Sequence, residues 1–481
     1  MKNRIAALFN RVSVCIVILT FSIVLTSCDL GRNNDFPDIS YTISSAMSVD
    51  DTGEKERVIN SGIIRIALPF PEECLKYLVY MYVGETGGLF RKTHSSLNGL
   101  SVSLGILENY NIGLTTELVA VPDRGFSTEQ IYGMKSAGNL PDIFLANSYS
   151  SVEHSQFDFA DLSGDYLNDY LKVSNVFPEM YASNGFSGEI SSLPLYSSLM
   201  LLYANMGLLS SELSDTAVIT SPITLQTLKA ITEEITDPET GVAGFYGIRN
   251  MVAFLPSAVD PFPGSYLWNR GKFDFRNSAF NDTIVSLIEL VDTGGVLDPL
   301  SPEEVFSKYS TDDPRKSGKI AFWLDDSGDF TEWNDSFDFR LLPIPVVDRV
   351  SIPMHVYPVC VDPDSNILRE AKELAVYLTM DRDALLFRSR YDVKTGYIPP
   401  LNDQLVWEEL VAVQECGEDL IIIRDMLSGA RILDLSAPAD IENIFDMLYE
   451  EHFYDIIFNK EPFEEHISAI DEVTGYSITG G

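Results

Sequence analysis

The chain has 481 residues, with 33 Lys+Arg against 71 Asp+Glu and a formal net charge of −38. Hydrophobic residues make up 45 % and charged residues 22 %, which excludes wholesale disorder, and the length suits a globular protein of two or three domains. A surface this acidic repels phosphate backbones and anionic headgroups, so nucleic acid is excluded as a partner.

Residues 1–27 carry Lys2, Arg4 and Arg11 and no acid, followed by an apolar run from Val12 to Leu25 broken only by Ser13, Thr20 and Ser22. A basic start and a short apolar stretch describe a secretory signal, too short to sit comfortably as a spanning helix. The segment ends Leu25-Thr26-Ser27-Cys28, which resembles the bacterial lipobox. That resemblance implies a diacylglycerol on the Cys28 sulfur, cleavage before it, and a lipid bilayer as partner; the alternative is a plain signal peptide with a chance cysteine. No other stretch reaches 18 uninterrupted apolar residues. Cys74, Cys360 and Cys416 have no metal-ligand spacing and read as small buried residues, although one pair could oxidise outside the cell.

Residues 28–60, rich in Asp, Asn, Ser and Gly and without apolar period, read as a flexible tether. A β-branched run from Ile63 to Leu68, stopped by Pro69 and Pro71, predicts a buried strand. Glu117 to Val121 predicts the next. Ser127 then caps a helix, with Gln130 as its capping-box partner and Gly138 as its stop. Pro141 to Leu145, Leu199 to Tyr203 and Ile320 to Leu324 predict further strands. Thr224 opens a helix with Leu225, Leu228, Ile231 and Ile235 on one face, and Ser301-Pro302-Glu303-Glu304 opens another. Leu368, Ala371, Leu374, Ala375 and Leu378 form a last apolar stripe at helical spacing. Continuous apolar strands alternating with amphipathic helices predict an α/β class with mainly parallel sheets covered on both faces. The chain has no nucleophile elbow, no His-Glu-x-x-His and no phosphate loop, and its five His are scattered, so no catalytic group, metal or other cofactor is expected.

Several segments in order resemble the extracellular solute-binding proteins of ABC importers, the family that includes maltose-binding protein. They are ILENYNIGLTTELVAV, GNLPDIFLAN, GEISSLPLYSSLMLLYAN, the stretch from Thr224 to Gly247, SGKIAFWLDDSGDF, and ILREAKELAVYLTM with the later TGYIPP. Together they span roughly residues 63–405. The resemblance implies a two-lobed type II periplasmic-binding-protein-like fold, each lobe a mainly parallel sheet flanked by helices, with the ligand cleft between them. Chain crossings would fall near Leu195–Ser198, near Ile352–Tyr357 and before Pro399. Residues 61–195 with 355–398 would form the amino-terminal lobe, and 198–352 with 400–481 the carboxyl-terminal lobe. It also implies a monomer that captures a small solute, a carbohydrate above all, and hands it to an ABC transporter permease. The stretch from Glu72 to Gly105 departs from the family in length and glycine content. Gly328 stands where the family often has an aromatic, whose place Phe330 or Trp333 could take.

A sugar pocket needs aromatic plates and planar hydrogen-bonding groups. Tyr196 and Ser197 lie at the expected hinge, with hinge packing as the alternative for both. Asp325, Asp326 and Ser327 read as a turn opening at the cleft, or else as a solvated acidic loop. Trp268 sits where the family commonly places a stacking aromatic, and could equally pack within its lobe. Asn147 beyond the PDIF strand and Tyr397 before Ile398-Pro399 complete the set, while Trp323 reads as core. Asp325 and Asp326 leave a polyamine or basic peptide open as ligand. Two other readings stay open: a surface glycoside hydrolase with a carboxylate pair, and a binding protein that docks to a membrane sensor.

Overall fold

A computed structural model describes residues 39–40, 42–43, 62–86, 90–91, 100–101, 114–122, 124–147, 158–181, 190–213, 219, 222–259, 266, 268, 272–297, 302–329, 338–389, 396–413, 420–421, 424–425, 427, 430–432 and 441–479. Cys28, Phe330, Trp333 and Cys416 lie outside them. The chain divides into two compact units, Met1–Val58 with Val83–Ile112, and Ile59–Tyr82 with Gly113–Gly481. Among the described residues of the first unit, Ile39–Ser40 pairs in parallel with Leu100–Ser101, and Thr42–Ile43 antiparallel with Phe90–Arg91. The stretch expected to be a plain tether therefore contributes two short paired strands.

The second unit is built on one sheet. Its strands are β1 (Gly62–Ala67), β2 (Leu114–Leu118), β3 (Ile143–Leu145), β4 (Ser192–Asn205), β5 (Ala243–Tyr246), β6 (Val296–Leu297), β7 (Ile320–Asp326), β8 (Phe339–Leu342), β9 (Ile352–Val361) and β10 (Ala430–Ile432). They run in the order β6-β5-β7-β4-β9-β3-β1-β2, with β8 also on β4 and β10 also on β9. Parallel pairing gathers in a triplet at each end, β2-β1-β3 and β6-β5-β7. Antiparallel pairing belongs to the two long strands between them. The first half of β4 lies against β9, from Ser192 opposite Cys360 to Leu199 opposite Met354, and its second half lies against β7. The register shifts at Tyr357/Pro358, where Pro358 faces Pro194. Neither proline can donate to the ladder, so the crossing is weakly bonded there. A third crossing is a backbone pair in both directions between Ser197 and Ile398.

All fourteen residues of β4 are buried. Met200, Leu202 and Ala204 face one core with Phe245, Phe322 and Leu324, whereas Leu199, Leu201 and Tyr203 face another with Trp323, Ile398 and Trp407. Burial on both faces explains a continuous rather than alternating apolar run. Trp323 lies in that second core, stacked on Tyr203 with ring centroids 5.4 Å apart. Cys74 and Cys360 are both fully buried.

The helices include α1 (Glu72–Thr86), α2 (Thr128–Ser136), α3 (Leu225–Ile235), α4 (Ile248–Phe254), α5 (Ser278–Asp292), α6 (Leu368–Met380) and α7 (Ile441–Leu448). Ser127 and Gln130 close a reciprocal capping box on α2, and Gly138 takes the left-handed conformation beyond its end. The Thr224 hydroxyl caps α3, and its four stripe residues are buried. Two strands differ from expectation. β2 begins at Leu114 and ends at Leu118 rather than running from 117 to 121, because its register is set residue by residue against β1. β7 runs on through Asp325 and Asp326, which pair with Leu201 and Met200, so the turn starts only at Ser327. Among the described residues, no helix is long and apolar enough to cross a membrane.

Candidate functional site

The crossing strands bring a polar and aromatic floor to one face of the sheet. In register, Tyr196 lies opposite Tyr357, and Ser198 opposite His355; Asp326 arrives beside them at the end of β7. The Asp326 carboxylate accepts from the Ser198 hydroxyl at 2.7 Å and from the Gly328 N–H at 2.7 Å, and its Oδ2 lies 3.3 Å from His355 Nδ1. Burial alone would raise the Asp326 pKa, but the hydrogen bonds from His355 and Ser198 and the imidazole charge bring it below the ordinary carboxylate value. Burial likewise works against a charged His355, and the adjacent Asp326 outweighs it, so the imidazole is held above its ordinary value.

Tyr397 covers this floor. Its ring lies 4.3 Å from that of Tyr196 and 5.6 Å from that of Tyr357, the latter nearly edge-on. A Cβ on Gly328 would come within 2.9 Å of the Tyr397 phenol and 3.0 Å of Asp326 Oδ1, so only glycine lets the turn, the ring and the acid meet. The Ser327 hydroxyl ties the same turn down, accepting from the Leu199 N–H at 3.0 Å and donating to the Gly396 carbonyl at 2.6 Å.

A cation reaches the floor from the other parallel triplet. Arg124 sits in the loop between β2 and α2, and Gly125 beside it has φ +88°. A Cβ there would lie 2.6–2.9 Å from the backbone of Ala146 and Asn147, so this loop is pressed against the end of β3. The Arg124 guanidinium lies 3.5 Å from Asp329, with its side chain half-exposed. Burial disfavours its charge, but Tyr357, Asp326, Asp329 and Glu442 raise its pKa on balance. Glu442, in the first turn of α7, accepts from the Tyr266 hydroxyl at 3.1 Å.

Asp326, Tyr196 and Tyr397 thus come together at the crossing, with Ser327 bracing them from behind. Asn147 lies half-buried at the end of β3, next to the Arg124 loop, with its N–H on the Phe126 carbonyl. Three other candidates lie elsewhere. Ser197 alternates to the opposite face, where its hydroxyl lies 3.6 Å from the Met180 sulfur. Asp325 alternates away from Asp326 and is held by Arg315, which Asp313 also grips. Burial, opposed by Arg315, puts the Asp325 pKa up to about 7. Trp268 packs edge-on against Phe273 at 5.0 Å within the core beneath α4 and α5. Ser198, His355, Tyr357 and Arg124 were not singled out in the sequence. The signals were faint: a serine beside the Ser197 candidate in one strand, a histidine in an apolar strand, and one cation between a strand and a capping box. Among the described residues, no group of three or more His, Cys, Asp or Glu could hold a metal ion.

No protein-family model matches the chain, and no curated protein matches it. Solved structures do. A cyclic alpha-maltosyl-1,6-maltose binding protein from Arthrobacter globiformis aligns with a TM-score of 0.62 at 14% identity, over 88% of this chain and 100% of its own. An ABC substrate-binding protein from Listeria monocytogenes, in complex with cycloalternan, aligns at 0.59 and 14% identity over 87% and 98%. UgpB from Mycobacterium tuberculosis, in complex with glycerophosphocholine, aligns at 0.59 and 15% identity over 87% and 100%. The chain therefore has the two-lobed type II periplasmic-binding-protein fold that these proteins share.

Proposed function

We propose that this chain is the solute-binding component of an ABC importer. It captures a carbohydrate over the floor formed by Asp326, Tyr357 and Tyr397 and delivers it to the membrane permease. The observation that carries the reading is the crossing itself. Three backbone segments, β4, β9 and the stretch at Ile398, meet between two parallel triplets, and a built polar and aromatic floor lies where they cross, in a fold shared with sugar-binding proteins. Residues 61–195 with 355–398 move as one lobe, and 198–352 with 400–481 as the other. Tyr357 is 2% and Tyr397 5% exposed, so a solute reaches them only when the lobes part. A solute that binds the closed arrangement better than the open one then shifts the population toward closure. Asn147 lies within reach of a bound solute on the amino-terminal side, whereas Ser197 and Trp268 support the floor through packing.

Cleavage after residue 27 and acylation of Cys28 anchor the protein outside the cytoplasmic membrane as a monomer. Acyl chains contribute about 0.8 kcal/mol per buried CH₂, enough for two or three together to hold it there. Metabolic labelling with a fatty acid should mark the protein and spare Cys28→Ala. For capture, a thermal-shift screen against neutral and charged oligosaccharides should find stabilisation by at least one. At one hundred times the dissociation constant this amounts to about 2.7 kcal/mol. If no carbohydrate stabilises the protein, the reading fails.

A further inference from the structure

We propose that the cleft takes an anionic carbohydrate and that Arg124 binds its carboxylate or phosphate; this rests on the solute-binding reading above. The inference comes from which hydrogen-bonding groups on the floor are already engaged. Asp326 has both oxygens occupied, by Ser198 and His355 on one and by the Gly328 N–H on the other. Glu442 is engaged by the Tyr266 hydroxyl. Asp325, the remaining acid of the pair, lies off the floor in the grip of Arg315. The acids near the cleft are thus already partnered.

The donors are in the opposite condition. Arg124 offers five N–H groups in a planar fork suited to two oxygens at once. Among the described residues its one ion pair is the 3.5 Å contact with Asp329, which is itself about one-third exposed. His355 Nε2 is buried with no hydrogen-bond partner among the described residues. A floor of occupied acceptors and spare cationic donors matches a group that accepts only and carries negative charge. Gly125 holds the loop against β3, which fixes the backbone from which the Arg124 side chain extends. A polyamine or basic peptide would have to displace the partners of Asp326 and Asp325 to reach those two carboxylates.

Arg124 could instead serve only to join the two sides of the cleft through Asp329, and charge-matched ligands separate the two roles. Calorimetric titration of the purified protein would compare digalacturonate with its neutral methyl ester, and maltose 1-phosphate with maltose. The proposal predicts that at least one anionic probe binds ten times or more tighter than its neutral partner. The carboxylate and phosphate pairs identify which group is read. Arg124→Gln should weaken the anionic probe at least ten times more than its neutral partner, and Arg124→Lys should keep part of the preference. Equal affinity for charged and neutral members, or equal weakening of both by Arg124→Gln, overturns the inference and leaves carbohydrate capture standing. Absence of binding by all four probes and by every carbohydrate of the thermal-shift screen overturns both.

Discussion

Asp325 and Asp326 are neighbours in sequence and opposites in structure. One strand period turns Asp326 to the floor of the crossing, among Ser198, His355 and the tyrosines. The same period turns Asp325 to the other face, against Arg315 and Asp313. Their surroundings then drive their acidity apart, with Asp326 below the ordinary carboxylate range and Asp325 raised to about 7. The contrast teaches that an acid pair on a strand is two separate environments, and that only register tells which one meets the ligand.

Stability measurements test this contrast most severely. Removing one partner of a buried, hydrogen-bonded charge pair costs about 3–5 kcal/mol, so Asp326→Ala should lower the unfolding free energy at pH 7 by that amount. Asp325→Asn keeps an acceptor for Arg315, which retains Asp313, and should cost no more than about 1 kcal/mol in the same urea titration. Equal losses at the two sites would erase the distinction.

Space at the floor gives the next effect. Gly328→Ala forces a Cβ into the Tyr397 phenol and should cost about 1–3 kcal/mol, the range for overpacking. Carbohydrate affinity should fall with it, since the ring is displaced from Tyr196 and Tyr357. Calorimetry that finds affinity unchanged would remove Tyr397 from the site.

The pH dependence of stability should also differ between the two faces. Asp326 has a lowered pKa, so its contribution is present above the unfolded value and is lost as pH falls through the folded one. His355 has a raised pKa, so its contribution is present below about 6.5 and is lost as pH rises through the folded value. The pair therefore supports the fold best between those limits, and His355→Gln should flatten the alkaline loss. Asp325 runs the other way from Asp326: its raised pKa makes stability fall as pH rises from about 4 to about 7. Asp325→Asn should remove that slope, and denaturation series across pH would reveal both.

Local signals were legible in the sequence. The Ser127–Gln130 capping box and the Thr224 cap with its stripe appear as expected, because each depends on residues within a turn or two of one another. The α/β class and the two-lobed fold were legible through the order of strands, helices and motifs. Facts about facing were harder to read. Whether Ser197 or Ser198 looks toward the floor depends on pairing with β9, more than 150 residues on in the chain. β7 continues through both aspartates because β4 is there to pair with them, which no local propensity announces. Trp268 packs into a core assembled from distant helices, so its aromatic character could not distinguish a ligand plate from a core residue. Arg124 and His355 belong to no motif and become visible only when the crossing strands bring their surroundings together.

The most direct test of the account is a crystal structure of the protein with the tightest carbohydrate from the screen. The account predicts the sugar against Tyr357 and Tyr397 at the strand crossing, with Arg124 in contact and Asp325 remote. A carbohydrate bound instead beside Trp268 and Phe273, or at Asp325 and Arg315, with the floor untouched, would contradict it.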